Sequence, residues 1–147
     1  MIPTLLSILV EKQSGNVHRS NFFAAEFALT DLKIPLDSEI AKFFLHYTIT
    51  LYKSAVSEEQ LCDIADPTPE IALGTKYVHD VWELPEQYIC ISSIQGEGAY
   101  LYDVKTGKVW DFDLASREAF ISGRQQAKWN SFYDFMMWYL SDTSAVS

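Results

Sequence analysis

The sequence predicts an α+β domain in which helices pack on an antiparallel β-meander. Three observations point there. Near both ends of the chain, apolar residues recur at spacings of three and four behind a capping residue, as in helices. From residue 75 to residue 114, short runs of β-formers alternate with glycine turns. The 147 residues are 48% apolar and 14% aromatic, enough for one core without metal or disulfide.

Residues 1–10 are apolar but lack a basic region and a small-residue cleavage site. Glu11 and Lys12 end the run well short of the roughly 18 residues that would span a bilayer, so it reads as a core helix or strand. Residues 21–29 have helical composition with Asn21 as cap, and Pro35 breaks the helical pattern. Asp37 or Ser38 then caps a helix whose apolar positions are Ile40, Phe43, Phe44 and Tyr47. Residues 47–52 change to a period of two and read as a strand. Ser57-Glu58-Glu59-Gln60 matches a capping box leading a short helix through Leu61 and Ile64. Two prolines make 65–70 a stiff loop within the domain.

The meander is expected as strands at 75–82, 88–94, 99–104 and 108–114. Gly96-Glu97-Gly98 and Lys105-Thr106-Gly107 form the turns, with Gly107 at positive φ. In the last strand Trp110, Phe112 and Leu114 face the core, and Val109, Asp111 and Asp113 face water. Ser131 and Asp134 start a closing helix whose stripe of Phe132, Phe135, Met136, Tyr139 and Leu140 covers the sheet. The chain is one domain, 1–147, with 141–147 expected to fray.

The net charge is −9, and all of the surplus lies in residues 57–118, which carry thirteen acids and four bases. Nucleic-acid binding is disfavoured, because neutralising phosphates takes Lys and Arg. A basic protein partner is favoured, since a negative field steers it. Solubility alone is the competing explanation of the charge.

No pattern of catalysis emerges. His18, His46 and His79 form no metal-binding spacing, and His79 reads as surface or edge packing. Cys62 and Cys90 form no zinc or CxxC pattern. Cys90 reads as a buried small hydrophobe, and a reducing cytoplasm is preferred to a Cys62–Cys90 disulfide. Asp111 and Asp113 lie roughly 7 Å apart on one strand face. That spacing imitates a hydrolase acid pair, but an exposed strand face is the simpler reading. Gly96-Glu97-Gly98 leads into a strand, so it is not a phosphate loop. Tyr100 and Tyr102 share a strand face where bases could stack, yet the surrounding charge is acidic. Cross-strand packing or a protein interface suits them better.

The stretch from Trp82 to Leu140 resembles the SUKH superfamily. The resemblance rests on Trp82 with Tyr88-Ile89-Cys90-Ile91, then Ala99-Tyr100-Leu101-Tyr102-Asp103, then Thr106-Gly107-Lys108-Val109-Trp110-Asp111-Phe112-Asp113. It ends in Trp129-Asn130-Ser131-Phe132-Tyr133-Asp134-Phe135-Met136, similar to the family's closing helix. Upstream, Glu26, Leu29 and Ile34-Pro35 fit its acid, apolar and Leu-Pro pattern. His46-Tyr47-Thr48 replaces the family's Asn-Gly-Gly turn, and 57–73 has no counterpart. The family includes a yeast regulator of cell-wall synthesis and many bacterial immunity proteins, among them those of contact-dependent growth inhibition.

The resemblance implies a SUKH-like fold and a cytoplasmic immunity protein that occludes a cognate toxin domain, a basic nuclease. It brings no catalytic residues, metal or cofactor. The partner surface is expected to be of standard size, roughly 1,600 Å². Its expected members are the steering acids Asp66, Glu70, Asp80, Glu83, Glu97, Asp111 and Asp113, with Tyr100 or Tyr102 as aromatic anchor. A scaffold or regulator binding several proteins is the alternative, and a small hydrolase using Asp111 and Asp113 is a third.

Overall fold

A computed structural model describes residues 1–94 and 96–141. It is α+β, with six helices and a three-stranded antiparallel sheet. The expected fraying of the tail lies outside the described residues, apart from Ser141.

Helices α1 (Thr4–Glu11), α2 (Phe22–Asp31) and α3 (Glu39–His46) come first. The Asn21 side chain accepts from the Ala24 amide at the start of α2, and the Ser38 hydroxyl from the Ala41 amide at the start of α3. Each cap satisfies an amide that the first helical turn leaves unpaired. At the end of α2, Lys33 adopts a left-handed φ of 62°. The Ile34 and Lys33 amides there return to the carbonyls of Leu29 and Thr30. That is a Schellman stop, with Ile34 buried beside Leu29.

The segment expected as a strand at 47–52 is irregular. Only Tyr47 bridges to His18, while Thr48 and Thr50 bond the backbone of 14–17. Tyr47 and Tyr52 are buried and the residues between them are not, so the segment is anchored at its ends. The helix expected after Ser57 is also absent. The Ser57 hydroxyl accepts from the Glu59 amide but also bonds the Tyr100 hydroxyl at 2.6 Å. Gln60 and Cys62 pair with Ser93 and Ile91, which keeps the chain extended.

Residues 75–82 depart furthest from expectation. Instead of a strand, Pro69–Asp80 forms a helix, α4. Thr68 caps it, Pro69 takes its first turn, and Glu70 lies beside the positive end of its dipole. Ile71, Thr75, Val78 and Trp82 repeat at helical spacing, and this outweighs the β-propensity of Thr75, Tyr77 and Val78.

The sheet runs β1 (Tyr88–Cys90), β2 (Gly98–Asp103) and β3 (Val109–Asp113), paired in that order. Ile89 faces Tyr102, and Tyr102 faces Val109. The second hairpin turns as expected, with Gly107 at φ 77°. Buried Asp103 holds it, accepting from the Lys105 amide, the Thr106 hydroxyl and the Gln87 amide group. A 3₁₀ turn (Leu114–Ser116) and short α5 (Arg117–Ile121) come next. The chain closes with α6 (Phe132–Tyr139), capped by Ser131 as expected.

Both faces of the sheet are covered, where one wet face was expected. Ile89, Tyr100, Tyr102 and Val109 enter a core with α1, α2, α3 and α6. Cys90, Ala99, Leu101 and Phe112 enter a second core with Val78 of α4, Trp82 just after it and Phe120 of α5. Val109 is therefore fully buried instead of facing water. Phe112 is buried, Trp110 is half-buried against Tyr88 and Phe120, and Leu114 is half-buried against the same core.

The sheet edges are occupied. Along β1, the Thr75 hydroxyl accepts from the Cys90 amide, and His79 Nε2 donates to the Tyr88 carbonyl at 2.7 Å. Threonine and histidine one helical turn apart thus complete the edge strand. His79 packs at an edge as expected, but from a helix. Along β3, Val109 exchanges backbone bonds with Trp129. An exposed edge is a template for pairing with another chain, and here these stretches are closed.

Candidate protein-binding surface

Helix α2 buries only Ala25 and Leu29. Its other apolar side chains have no core to enter. Phe22, Phe23 and Phe27 are 54%, 86% and 76% exposed. A surface helix that is apolar nearly all round signals either burial or a partner. Phe27 continues into a groove of about 600 Å³ between α2 and α4. Ile64, Ala65 and Ile89 floor this groove, and Ala28 and Ala72 face it from the two helices.

Four carboxylates, Asp31, Asp66, Asp80 and Glu86, line the same groove with two ammonium groups, Lys33 and Lys76. Lys76 bonds Asp80 at 2.9 Å, one turn apart on α4. That bond raises the Lys76 pKa. The rim is thus negative above an apolar floor.

The floor is tied down from below. Arg19 donates to the carbonyls of Phe44 and Tyr47 and to Asp63 Oδ1 at 2.7 Å. The two side chains of this ion pair are only 5% and 12% exposed. Asp63 Oδ1 also accepts from the Ala65 amide. Burial raises the Asp63 pKa despite the opposing pull of Arg19. The clamp thereby sets residues 64–66 under the groove.

No protein-family model matches this chain, and no curated protein matches its sequence.

Of the acids expected at a partner surface, the structure brings Asp66 and Asp80 together at the groove. Glu70 lies on another side of α4, in a shallower depression with Leu73, Tyr77 and Ile94. Glu83 occupies a left-handed turn at φ 55°, and its carbonyl accepts from Arg117. Glu97, Asp111 and Asp113 gather at the β3 side of the sheet. Glu97 accepts from the Leu114 amide through its carbonyl, Asp113 caps Ala115, and Asp111 lies 3.7 Å from Lys128. The seven acids are all exposed but do not form one patch.

Tyr100 and Tyr102 are not surface anchors. Both are buried, because the sheet face they share with Val109 is covered by helices. Tyr100 packs on Trp129 and Phe135, and Tyr102 on Phe132. Burial raises both phenols, Tyr102 to about 12.

Sequence reasoning missed Asp31, Glu86 and the exposed phenylalanines. A signal was present: three phenylalanines spread round a ten-residue helix exceed what one face can bury.

Other chemistry is sparse. Cys62 and Cys90 are free thiols, raised by burial to about 11 and about 12, which leaves them protonated and unreactive. Among the described residues, no group of three or more His, Cys, Asp or Glu side chains could hold a metal ion. Among the same residues, no helix is long and apolar enough to cross a membrane.

Proposed function

We propose that this chain is a cytoplasmic, SUKH-like immunity protein that captures and neutralises a basic toxin domain. The observation that carries the reading is a helix with three exposed phenylalanines, Phe22, Phe23 and Phe27, the last of which lines a carboxylate-rimmed apolar groove. Aromatic side chains supply the anchors of protein interfaces, and a rim of one sign selects a partner of the other and speeds its arrival. A nuclease domain that grips phosphates carries the matching cationic surface. The segments that resemble the SUKH superfamily fall on β1, β2, β3 and the closing α6.

Co-expression with the toxin domain encoded beside its gene tests the reading. Restored growth, with the two proteins co-purifying, is the expected result. Continued killing with no complex formed would refute it.

A further inference from the structure

The α2–α4 groove has a shape and lining that specify its occupant. We infer that it receives one amphipathic helix of the partner, apolar along one stripe and carrying Lys or Arg on its flanks. This rests on the reading of the chain as a protein-binding inhibitor and names how that binding is made.

Other occupants fit poorly. Strand addition is blocked at Tyr88 and Cys90 of β1 and at Val109 of β3, where His79, Thr75 and Trp129 hold the backbone groups. A nucleic acid would bring phosphates against Asp31, Asp66, Asp80 and Glu86. A second copy of this chain would bring the same carboxylates face to face, at a net charge of −9. A small apolar molecule would fill the floor over Ile64, Ala65 and Ile89 yet leave Phe23, which lies outside the lining, in water.

A helix satisfies both levels. Anchors at i, i+3 or i+4, and i+7 reach the floor between the two alanine-bearing walls, Ala28 and Ala72. Phe23 and Phe27, one turn apart on α2, then lie along its side. Cationic flanks meet the four rim carboxylates, and one of them competes with Lys76 for Asp80.

The test uses a fluorescein-labelled Leu/Lys peptide with helical apolar periodicity and a scrambled peptide of the same composition. Binding is followed by anisotropy against the whole protein. The periodic peptide is expected to bind at least about tenfold tighter than the scrambled one. Ala72→Trp, which fills the groove, and Asp66→Lys with Asp80→Lys should each weaken it about tenfold or more. Glu58→Lys with Glu118→Lys, the same charge change elsewhere, should alter it less than about twofold. Phe27→Ser removes an exposed side chain without touching the core, and so serves if Ala72→Trp does not fold.

Equal binding of the two peptides, or full affinity in both Phe27→Ser and the Asp66→Lys, Asp80→Lys double variant, would overturn the inference. So would sedimentation showing a dimer that Phe27→Ser dissociates. Growth rescue separates this failure from failure of the functional reading. If the wild type protects cells from the toxin domain and Phe27→Ser and the charge-reversed double variant protect equally, the groove inference falls and the inhibitor reading stands. If the peptide behaves as expected but the wild type fails to protect, the inhibitor reading falls alone.

Discussion

Removing the Asp63 carboxylate should both destabilise the chain and loosen the groove floor. Asp63→Ala leaves the Arg19 guanidinium 5% exposed and without its counter-ion. Stripping one partner from a buried pair costs about 3–5 kcal/mol. The carbonyls of Phe44 and Tyr47 still accept from Arg19, so the lower end applies, about 3 kcal/mol. In a chain of this length that lowers Tm by roughly 6–12 °C. Asp63→Asn should cost much less, about 1 kcal/mol, because its carbonyl can still accept from Arg19 and Ala65. The raised pKa of Asp63 points the same way: burying the charge costs more than Arg19 returns. Urea unfolding followed by tryptophan fluorescence measures all three proteins. Equal stability of the Ala variant and the wild type would refute the clamp, and an Asn variant as weak as the Ala variant would refute the hydrogen-bond account of it.

The packing sets three further outcomes. Glu59 has one carboxylate oxygen buried without a partner, and burial, with Asp111 nearby, pushes its pKa up to about 7. The folded chain therefore holds a proton that the unfolded chain has released, and stability contributed by this group falls as pH rises from the ordinary glutamate range through 7. Glu59→Gln should stabilise by about 1 kcal/mol at pH 8, a value discounted for partial exposure, and have little effect near pH 5; pH-dependent melting checks it. Thr75→Val strands the buried Cys90 amide and should cost about 1–3 kcal/mol, with faster hydrogen exchange confined to β1. Tyr100→Ala should cost about 3–5 kcal/mol as a core truncation, whereas Tyr100→Phe, losing only the bond to Ser57, should cost about 1 kcal/mol and leave partner affinity unchanged.

What the sequence disclosed was mostly local. Asn21, Ser38 and Ser131 cap the helices they were expected to cap, and Gly107 turns the second hairpin, because those signals act within a few residues. The helix at Pro69–Asp80 was hidden by its own residues. Thr75, Tyr77 and Val78 favour strands, and the signals for a helix were the Thr68-Pro69-Glu70 start and the spacing of Ile71, Thr75, Val78 and Trp82. The capping box at Ser57 failed for a tertiary reason, since its hydroxyl is shared with Tyr100, forty-three positions away. The burial of Tyr100, Tyr102 and Val109 needed knowledge that helices cover the sheet twice. A period of two gives which residues share a face, not what lies over it. The same limit scattered the acids: their concentration in 57–118 was plain, but α4 and β3 carry them to different sides.

The rate at which the chain associates with the proposed toxin domain, followed by stopped-flow fluorescence across a range of salt, most directly probes the claim that a carboxylate-rimmed groove captures a cationic partner. The rate constant should fall about tenfold from low to physiological salt, and Asp66→Lys with Asp80→Lys should slow it about as much at low salt. A rate indifferent both to salt and to that charge reversal would contradict the claim.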